Sequence, residues 1–374
     1  MAEERILLVL PSLTAMGGGI ELYCRQLIGA LTRVRPQAKL HAVLGREATL
    51  AQPELLDAPA LARLGVSGAD ARGRIPRISQ LVAAAGRAAL SFRPTLVVCG
   101  HVNYAVLCQR LAWLGGARLW TLLYGIEAWN VRARGPARAL VASDRLISIS
   151  SFTAAQVLRT LPLEPGKLSV LPNAVDLERF RPGAPSAAIE TRLRNLARPR
   201  LLTVCRLDAA EAYKGVDFVI EALALLPAAK RPSYLMVGNG SDLPRLRALA
   251  AARSVDVEFY GRAGDGELPD LYRASNLYVM PSRNEGFGYV FIEAMACGLP
   301  VIAGCVDGSV DALAGGSLGL LVNPIDPRAI ADAIVAQLEG RTPAALRDGA
   351  RLRSEVASRF SQDAFDRTLA ALFA

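Results

Sequence analysis

Short apolar runs alternate with longer segments of helical period along most of the chain. In the first half the runs are 6–10 (ILLVL), 39–44 (KLHAVL), 95–99 (TLVVC), 118–123 (RLWTLL), 145–149 (RLISI) and 168–171 (LSVL). The second half repeats the rhythm at 200–205 (RLLTVC), 234–237 (YLMV), 256–260 (DVEFY), 276–280 (NLYVM), 300–303 (PVIA) and 319–322 (GLLV). A continuous apolar run has no solvent face, so each predicts a parallel strand covered by helices on both sides. The expected class is α/β, with doubly wound sheets. Between the halves, 171–186 (LPNAVDLERFRPGAPS) is rich in proline and short polar residues and reads as a linker. The closing segment, 346–374, reads as helix, amphipathic over 364–373. A length of 374 residues fits about two domains. Their expected bounds are 1–174 and 199–350, with a linker at 175–198 and closing helices at 351–374.

Composition narrows the function classes. Hydrophobic residues make up 52% and charged residues 21%, which excludes a disordered or fibrous chain. Aromatics are only 6%, a poor endowment for stacking nucleic-acid bases. Residues 1–180 hold 21 Lys and Arg against 12 Asp and Glu, whereas 181–374 hold 22 of each, so the net charge of +9 lies entirely in the first half. That imbalance suits an anionic partner there, or serves solubility alone. The cysteines at 24, 99, 108, 205, 297 and 305 form no C-x-x-C pair and lie mostly in apolar stretches, as reduced, buried thiols would. His41 and His101, the two histidines, have no cysteine at ligand spacing, so no zinc site is expected. Residues 6–20 are uncharged, but the flank Glu3-Glu4-Arg5 has the wrong charge for a signal peptide. No uncharged apolar stretch reaches the roughly 18 residues of a membrane span. The expected location is cytoplasmic, with peripheral membrane contact at most.

The chemistry gathers at strand ends. Gly17-Gly18-Gly19 separates strand 6–10 from a helix starting near 20. Glycines there admit a ligand close to the backbone, and helix-terminal amides attract an anion; a tight strand-to-helix turn needs the same residues. The pattern is not G-x-G-x-x-G, and no acidic residue closes the second strand within 40–46, so a nicotinamide cofactor is disfavoured. Arg206 directly follows strand 200–205, and Lys214-Gly215 opens the next helix. Two cations so placed clamp a diphosphate, or stand as solvated surface charges. Gly238-Asn239-Gly240-Ser241 forms another glycine turn after a strand, either lying against a nucleotide or simply turning. Finally, the loop 281–288 (PSRNEGFG) leads into a helix near 289, with Glu285 and Glu293 eight residues apart. Amides for phosphates beside carboxylates for hydroxyls suit a nucleotide sugar.

The E-(x7)-E pattern within EGFGYVFIEAMACGLPVIA resembles the signature of retaining glycosyltransferases of family GT4, which have the GT-B fold. Arg206 with Lys214-Gly215, the LPNAVD segment and the glycine turn at 17–19 extend the resemblance over nearly the whole chain, most strongly over 199–325. It implies two Rossmann-like domains facing a central cleft, acceptor-binding first and nucleotide-sugar-binding second, with the closing helices crossing back to the first. It implies catalytic roles for Glu285, Arg206 and Lys214. The two cations would neutralise the departing diphosphate, and Glu285 would hold sugar hydroxyls. Donor contacts would come from Gly18, Gly19, Gly238, Gly286, Phe287 and Gly288, with Glu293 on the ribose. No metal or further cofactor is implied. The anomeric configuration would be retained, through front-side displacement with the donor phosphate assisting acceptor deprotonation. One departure stands out. The family's usual histidine after the strand at 118–123 is replaced by Leu123-Tyr124-Gly125-Ile126-Glu127. That leaves Tyr124, Glu127 and His101 (in CGHVNY) as acceptor-side candidates.

The basic half then gains a meaning. Arg72, Arg74, Arg77, Arg87 and Arg93 cluster about an apolar helical stretch, 78–92, and Arg132, Arg134 and Arg138 follow the Tyr124 loop. Such a surface docks on an anionic membrane, or is a solvated face. The expected function is transfer of a hexosyl residue from a UDP- or GDP-sugar to a saccharide acceptor, lipid-linked, in cell-surface or exopolysaccharide synthesis. Nucleic acid is not an expected partner. The rivals are a non-catalytic nucleotide-sugar-binding subunit and a GT-B nucleotide-sugar epimerase.

Overall fold

The computed structural model describes residues 3–14, 18–164, 166–264 and 266–374. Each of the twelve apolar runs becomes a strand. The first seven are β1 (Arg5–Leu10), β2 (Lys39–Leu44), β3 (Leu64–Gly68), β4 (Leu96–Cys99), β5 (Arg118–Leu123), β6 (Arg145–Ser148) and β7 (Leu168–Val170). They form one all-parallel sheet in the order β3-β2-β1-β4-β5-β6-β7. Strand β3 is absent from the sequence reading. Its LGVSG has two apolar side chains, and it lies half-exposed at the sheet edge, where burial does not demand a hydrophobic run.

The other six are β8 (Arg200–Val204), β9 (Ser233–Val237), β10 (Val257–Gly261), β11 (Leu277–Met280), β12 (Val301–Gly304) and β13 (Leu320–Val322). They form a second parallel sheet, β10-β9-β8-β11-β12-β13. Both sheets start in the middle, run outward and then reverse, which is Rossmann-like, doubly wound topology. In each, the strand order switches beside the first strand, between β1 and β4 and between β8 and β11.

The chain divides into two compact units. Met1–Ala174 with Gln362–Ala374 make the first, and Val175–Ser361 the second. The segment expected as a linker from Val175 is therefore built into the second unit; there the Val175 amide bonds the Phe360 carbonyl at 2.8 Å. The two closing helices part company. Gly349–Phe360 packs on the helix Tyr289–Ala296 of the second unit, and only Gln362–Leu372 joins the first. Expecting both to cross back over 351–374 placed that change too early. Phe360 explains it, because its ring packs edge-on against Phe287 of the second unit at 5.3 Å.

In the first unit, Leu7, Val9, Val43 and Val97 pack with Leu81, Ala84 and Ala85 of the helix Arg74–Phe92 and with Cys108 and Leu111 of the helix Ala105–Gly115. Tyr23, on the helix Gly19–Val34, packs edge-on with Phe365 of the closing helix at 5.5 Å. All six cysteines are free thiols, and only Cys305 is exposed. No described helix is long and apolar enough to cross a membrane.

Candidate active site

The second unit brings its predicted residues to the carboxyl ends of β8 and β11, the switch point where ligands of open α/β sheets bind. Arg206 stands exposed two residues past β8. A short 3-10 segment, Ala209–Lys214, then turns the chain so that Lys214 faces back toward it. Glu211 bridges the two cations, 2.6 Å from Arg206 and 3.0 Å from Lys214. The turn ends at Gly215, whose positive φ of 74° no larger residue adopts easily, and a Cβ there would lie 2.3 Å from the Pro281 carbonyl. The Arg283 amide bonds the Tyr213 carbonyl at 3.0 Å, tying the 3-10 turn to the loop after β11.

That loop carries Glu285. Its side chain is half-buried, and burial pushes its pKa up while the charge of Lys214 pulls it down. Desolvation is the largest influence on Lys214 and works against its charge, but Glu285, Cys205, Glu211 and Tyr213 together outweigh it, and the lysine titrates above its ordinary range. The Glu285 carboxylate has no hydrogen-bonded partner among the described residues. Neither do the amides of Gly286, Phe287 and Gly288. Gly288, at φ 93°, opens the helix Tyr289–Ala296, so these free donors lie at a helix N-terminus. A cation pair, a carboxylate and open amides thus converge within one loop cluster. The Phe287 side chain is not part of that surface, being 1% exposed.

Glu293 lies in the middle of that helix and is buried. Its carboxylate accepts a hydrogen bond from the Tyr272 hydroxyl at 2.8 Å. Burial raises its pKa to about 7 against that bond and the charge of Arg179. The Gly238 amide already bonds the Gly261 carbonyl at 2.8 Å. Gly238 is required by close packing, because a Cβ would lie 1.8 Å from the Cys205 carbonyl. A donor contact through that amide is therefore not supported.

The sequence reading missed Asp307, which is fully buried. Its carboxylate accepts from the Ser282 hydroxyl and the Glu285 amide, both at 2.7 Å, and from the Ser309 amide at 3.0 Å. It fixes the loop at Ser282 and at Glu285 itself. The available signal was its place just past β12, at the same edge of the sheet. Glu211 was missed as well, although it is three residues from Lys214.

In the first unit, Gly17 lies outside the described residues. Gly18 precedes the helix Gly19–Val34 and its amide donates to the Glu21 carboxylate at 2.9 Å, so that amide is already bonded. Glu47, just beyond β2, is buried and accepts hydrogen bonds from Ser12, Leu13 and Thr14 in the loop after β1. The acidic residue sought at 40–46 thus lies slightly later and holds a protein loop. Burial alone would raise its pKa, but these bonds hold it below the ordinary value.

The acceptor-side candidates divide. His101 caps the short turn Val102–Tyr104, its Nδ1 accepting from the Asn103 amide at 3.1 Å. Burial lowers its pKa, against the charge of Glu127, which places those two side chains in one field. Glu127 accepts from the amides of Tyr124 at 2.7 Å and Gly125 at 3.1 Å. Tyr124 is 6% exposed. Its hydroxyl lies 3.5 Å from the Cys24 sulfur and its ring meets Tyr23 edge-on at 5.5 Å. Tyr124 is a core residue, so it does not stand in for the missing histidine.

Two family comparisons meet this geometry. The family described as "Glycosyltransferase Family 4" matches residues 17–179, and that described as "Glycosyl transferases group 1" matches residues 198–340. The chain belongs to the GT4-type glycosyltransferases. The GT4-type chain is 37% identical to the D-inositol 3-phosphate glycosyltransferase of Streptomyces avermitilis over 213 residues, 54% of this chain and 45% of that protein. It spans about half the length of that curated relative. Among solved structures it is similar to Anabaena HepE in complex with UDP and glucose, with a TM-score of 0.78 at 20% identity over 99% of both chains. It is also similar to the lipopolysaccharide outer core galactosyltransferase WaaB, with a TM-score of 0.75 at 16% identity over 99% of both chains. These likenesses establish the GT-B fold of the GT4-type chain.

Proposed function

We propose that the chain transfers a hexosyl residue from a nucleotide-diphosphate sugar to a saccharide acceptor with retention of configuration. The observation that carries this reading is the convergence of Arg206, Lys214 and Glu285 with the open amides of 286–288 at the switch point of the second sheet. The donor diphosphate takes the place of Glu211 against Arg206 and Lys214. Glu285 accepts hydrogen bonds from sugar hydroxyls, and the loop amides meet phosphate or sugar oxygens. In the transfer, the bond from the anomeric carbon to the β-phosphate oxygen breaks. The acceptor oxygen bonds that carbon on the same face, and the acceptor proton passes to the departing phosphate. The two cations stabilise the charge that develops on the leaving group, which is the charge role a metal fills elsewhere. We assign Glu293 to the ribose, and His101 with Glu127 to the acceptor side.

UDP is the first nucleotide to test, because the similar HepE structure holds UDP and glucose. We place the reaction in surface-polysaccharide assembly on a lipid-linked saccharide, a reading supported by the basic first half. A second acceptor class, a phosphorylated polyol, is favoured by the name of the inositol-phosphate relative. Thermal unfolding with UDP, GDP, ADP and, as control, NAD tests the donor site. A nucleotide at a hundred times its dissociation constant stabilises the fold by about 2.7 kcal/mol. Stabilisation by UDP is expected, and none by NAD; no response to any nucleoside diphosphate overturns the assignment of Arg206 and Lys214. Glu285→Gln is expected to keep nucleotide binding and lose transfer. A wild-type protein that binds donor but only isomerises it is an epimerase, and one that turns over no acceptor is a binding subunit.

A further inference from the structure

The surface of the first unit away from these residues carries a second pattern. The helix Arg74–Phe92 buries Leu81, Ala84, Ala85 and Ala88 against the sheet. At 3.6 residues per turn, Ile75, Ile78, Val82 and Leu90 lie on its solvent side, Ile78 beside Ala85 at the edge of the buried face and Leu90 farthest from it. All four are exposed, Ile75 at 78% and Leu90 at 80%. An ordinary surface helix is polar on that side. The neighbouring helix Ala105–Gly115 packs against it and ends in Trp113, 80% exposed, and Leu114. Each helix leads into a parallel strand, so the two run in the same direction. Leu90 and the Trp113–Leu114 pair therefore lie at the same edge of the sheet.

Positive charge predominates around this stripe, although Asp70 accepts a hydrogen bond from Gln80 of the same helix at 3.0 Å. Residues 71–143 contain ten arginines, no lysine and a single acidic residue, Glu127. Glu127 is occupied by the Tyr124 and Gly125 amides. Arg72, Arg74, Arg87 and Arg93 are exposed beside the apolar stripe. A second copy docked symmetrically on this face would set arginine against arginine. An anionic bilayer satisfies both features, since acyl chains cover the apolar stripe and headgroup phosphates meet the guanidinium groups. Trp113 suits the headgroup boundary, with its ring in the apolar layer and its N–H toward water.

We propose that the outer face of the helices Arg74–Phe92 and Ala105–Gly115 is a docking surface for an anionic lipid bilayer. The contact is interfacial: the apolar stripe enters the acyl boundary and the arginines hold headgroups around it. It stands independently of the glycosyl-transfer reading.

Flotation of the full chain with vesicles tests it, using phosphatidylcholine alone or mixed with phosphatidylglycerol. Binding to the mixed vesicles is expected at low salt, weakening steeply as salt rises, with a blue shift of tryptophan emission that Trp113→Phe removes. Replacing Arg72, Arg74 and Arg87 by glutamine should weaken binding roughly a hundredfold, at about fivefold per arginine. Ile78→Glu with Val82→Glu should abolish both insertion and the blue shift, while circular dichroism keeps the helix content and a cooperative melt, because both side chains are already about half exposed. Absence of binding at low salt, or variants that bind like wild type, overturns the proposal. So does a self-associated protein that the Ile78 and Val82 substitutions turn into monomers, since a second copy would then be the occupant.

Discussion

A carboxyl group buried beside a tyrosine hydroxyl answers to pH in the opposite direction from a salt-bridged one. Glu293 illustrates this, because burial raises its pKa from the ordinary 4.5 to about 7. The fold therefore favours the protonated form. The stability this confers is complete below about pH 4.5 and is lost as pH rises through about 7. The full difference is about 3 kcal/mol. Glu293→Gln keeps an oxygen for the Tyr272 hydroxyl and carries no charge at any pH. Urea unfolding should find the variant equal to wild type at pH 4 and more stable by up to about 3 kcal/mol at pH 8. An equal difference at both pH values would mean that Glu293 is solvated and free to ionise.

At the scale of elements, the Glu285 loop is held from outside itself. Phe287 anchors its apolar side on Phe360, and Gly288 stands in the left-handed region with a Cβ there 2.5 Å from the Phe291 ring. The polar fixed point is Asp307, reached from the other side of β12. Asp307→Asn replaces one acceptor oxygen by an NH2 group that faces existing donors. The expected cost is roughly 2 kcal/mol of stability, from the donors left unpaired. Its distinctive consequence is kinetic. Arg206 and Lys214, the proposed diphosphate clamp, lie on another segment, so UDP should still stabilise the variant, while kcat for transfer falls at least tenfold as Glu285 loses its position. Unchanged kcat would show that the loop holds its shape without Asp307. The same contrast explains what the sequence displayed. Arg206, Lys214 and Glu285 were legible as candidates because each lies between a strand and the helix that follows it. Asp307, Glu211 and Glu47 were not, because a lone acidic residue gives no sign that its partners are backbone amides or cations on another segment. Tyr124 misled for a related reason. Its position at a strand end matched the pattern, but packing against Tyr23 and Cys24 decides where its side chain lies.

For the whole molecule, alternation of apolar runs and helices was enough to read two parallel-sheet domains, and only the half-exposed edge strand β3 lacked a signal. The partition of the chain was harder to read, because it depends on contacts distant in sequence. The helix Gln362–Leu372 belongs to the first unit through Tyr23 against Phe365, Trp120 against Phe373 and the ion pair of Arg33 with Asp366 at 2.5 Å. Phe365 and Leu369 are buried there. Restoring both side chains to water costs about 5 kcal/mol, a large share of the 5–15 kcal/mol that holds a typical domain together. The ion pair adds little, because the Arg33 side chain is 41% exposed. A chain ending at Ser361 should therefore lose amide-exchange protection in the peptides covering 19–34 and 118–123, which the helix covers. Peptides of 200–204 and 277–280 should keep theirs, because Phe360 and its packing on Phe287 remain. Uniform loss in both units would mean that the closing helix stabilises the protein as one cooperative body. Loss confined to the first unit identifies it as that unit's last structural layer, supplied from the far end of the chain.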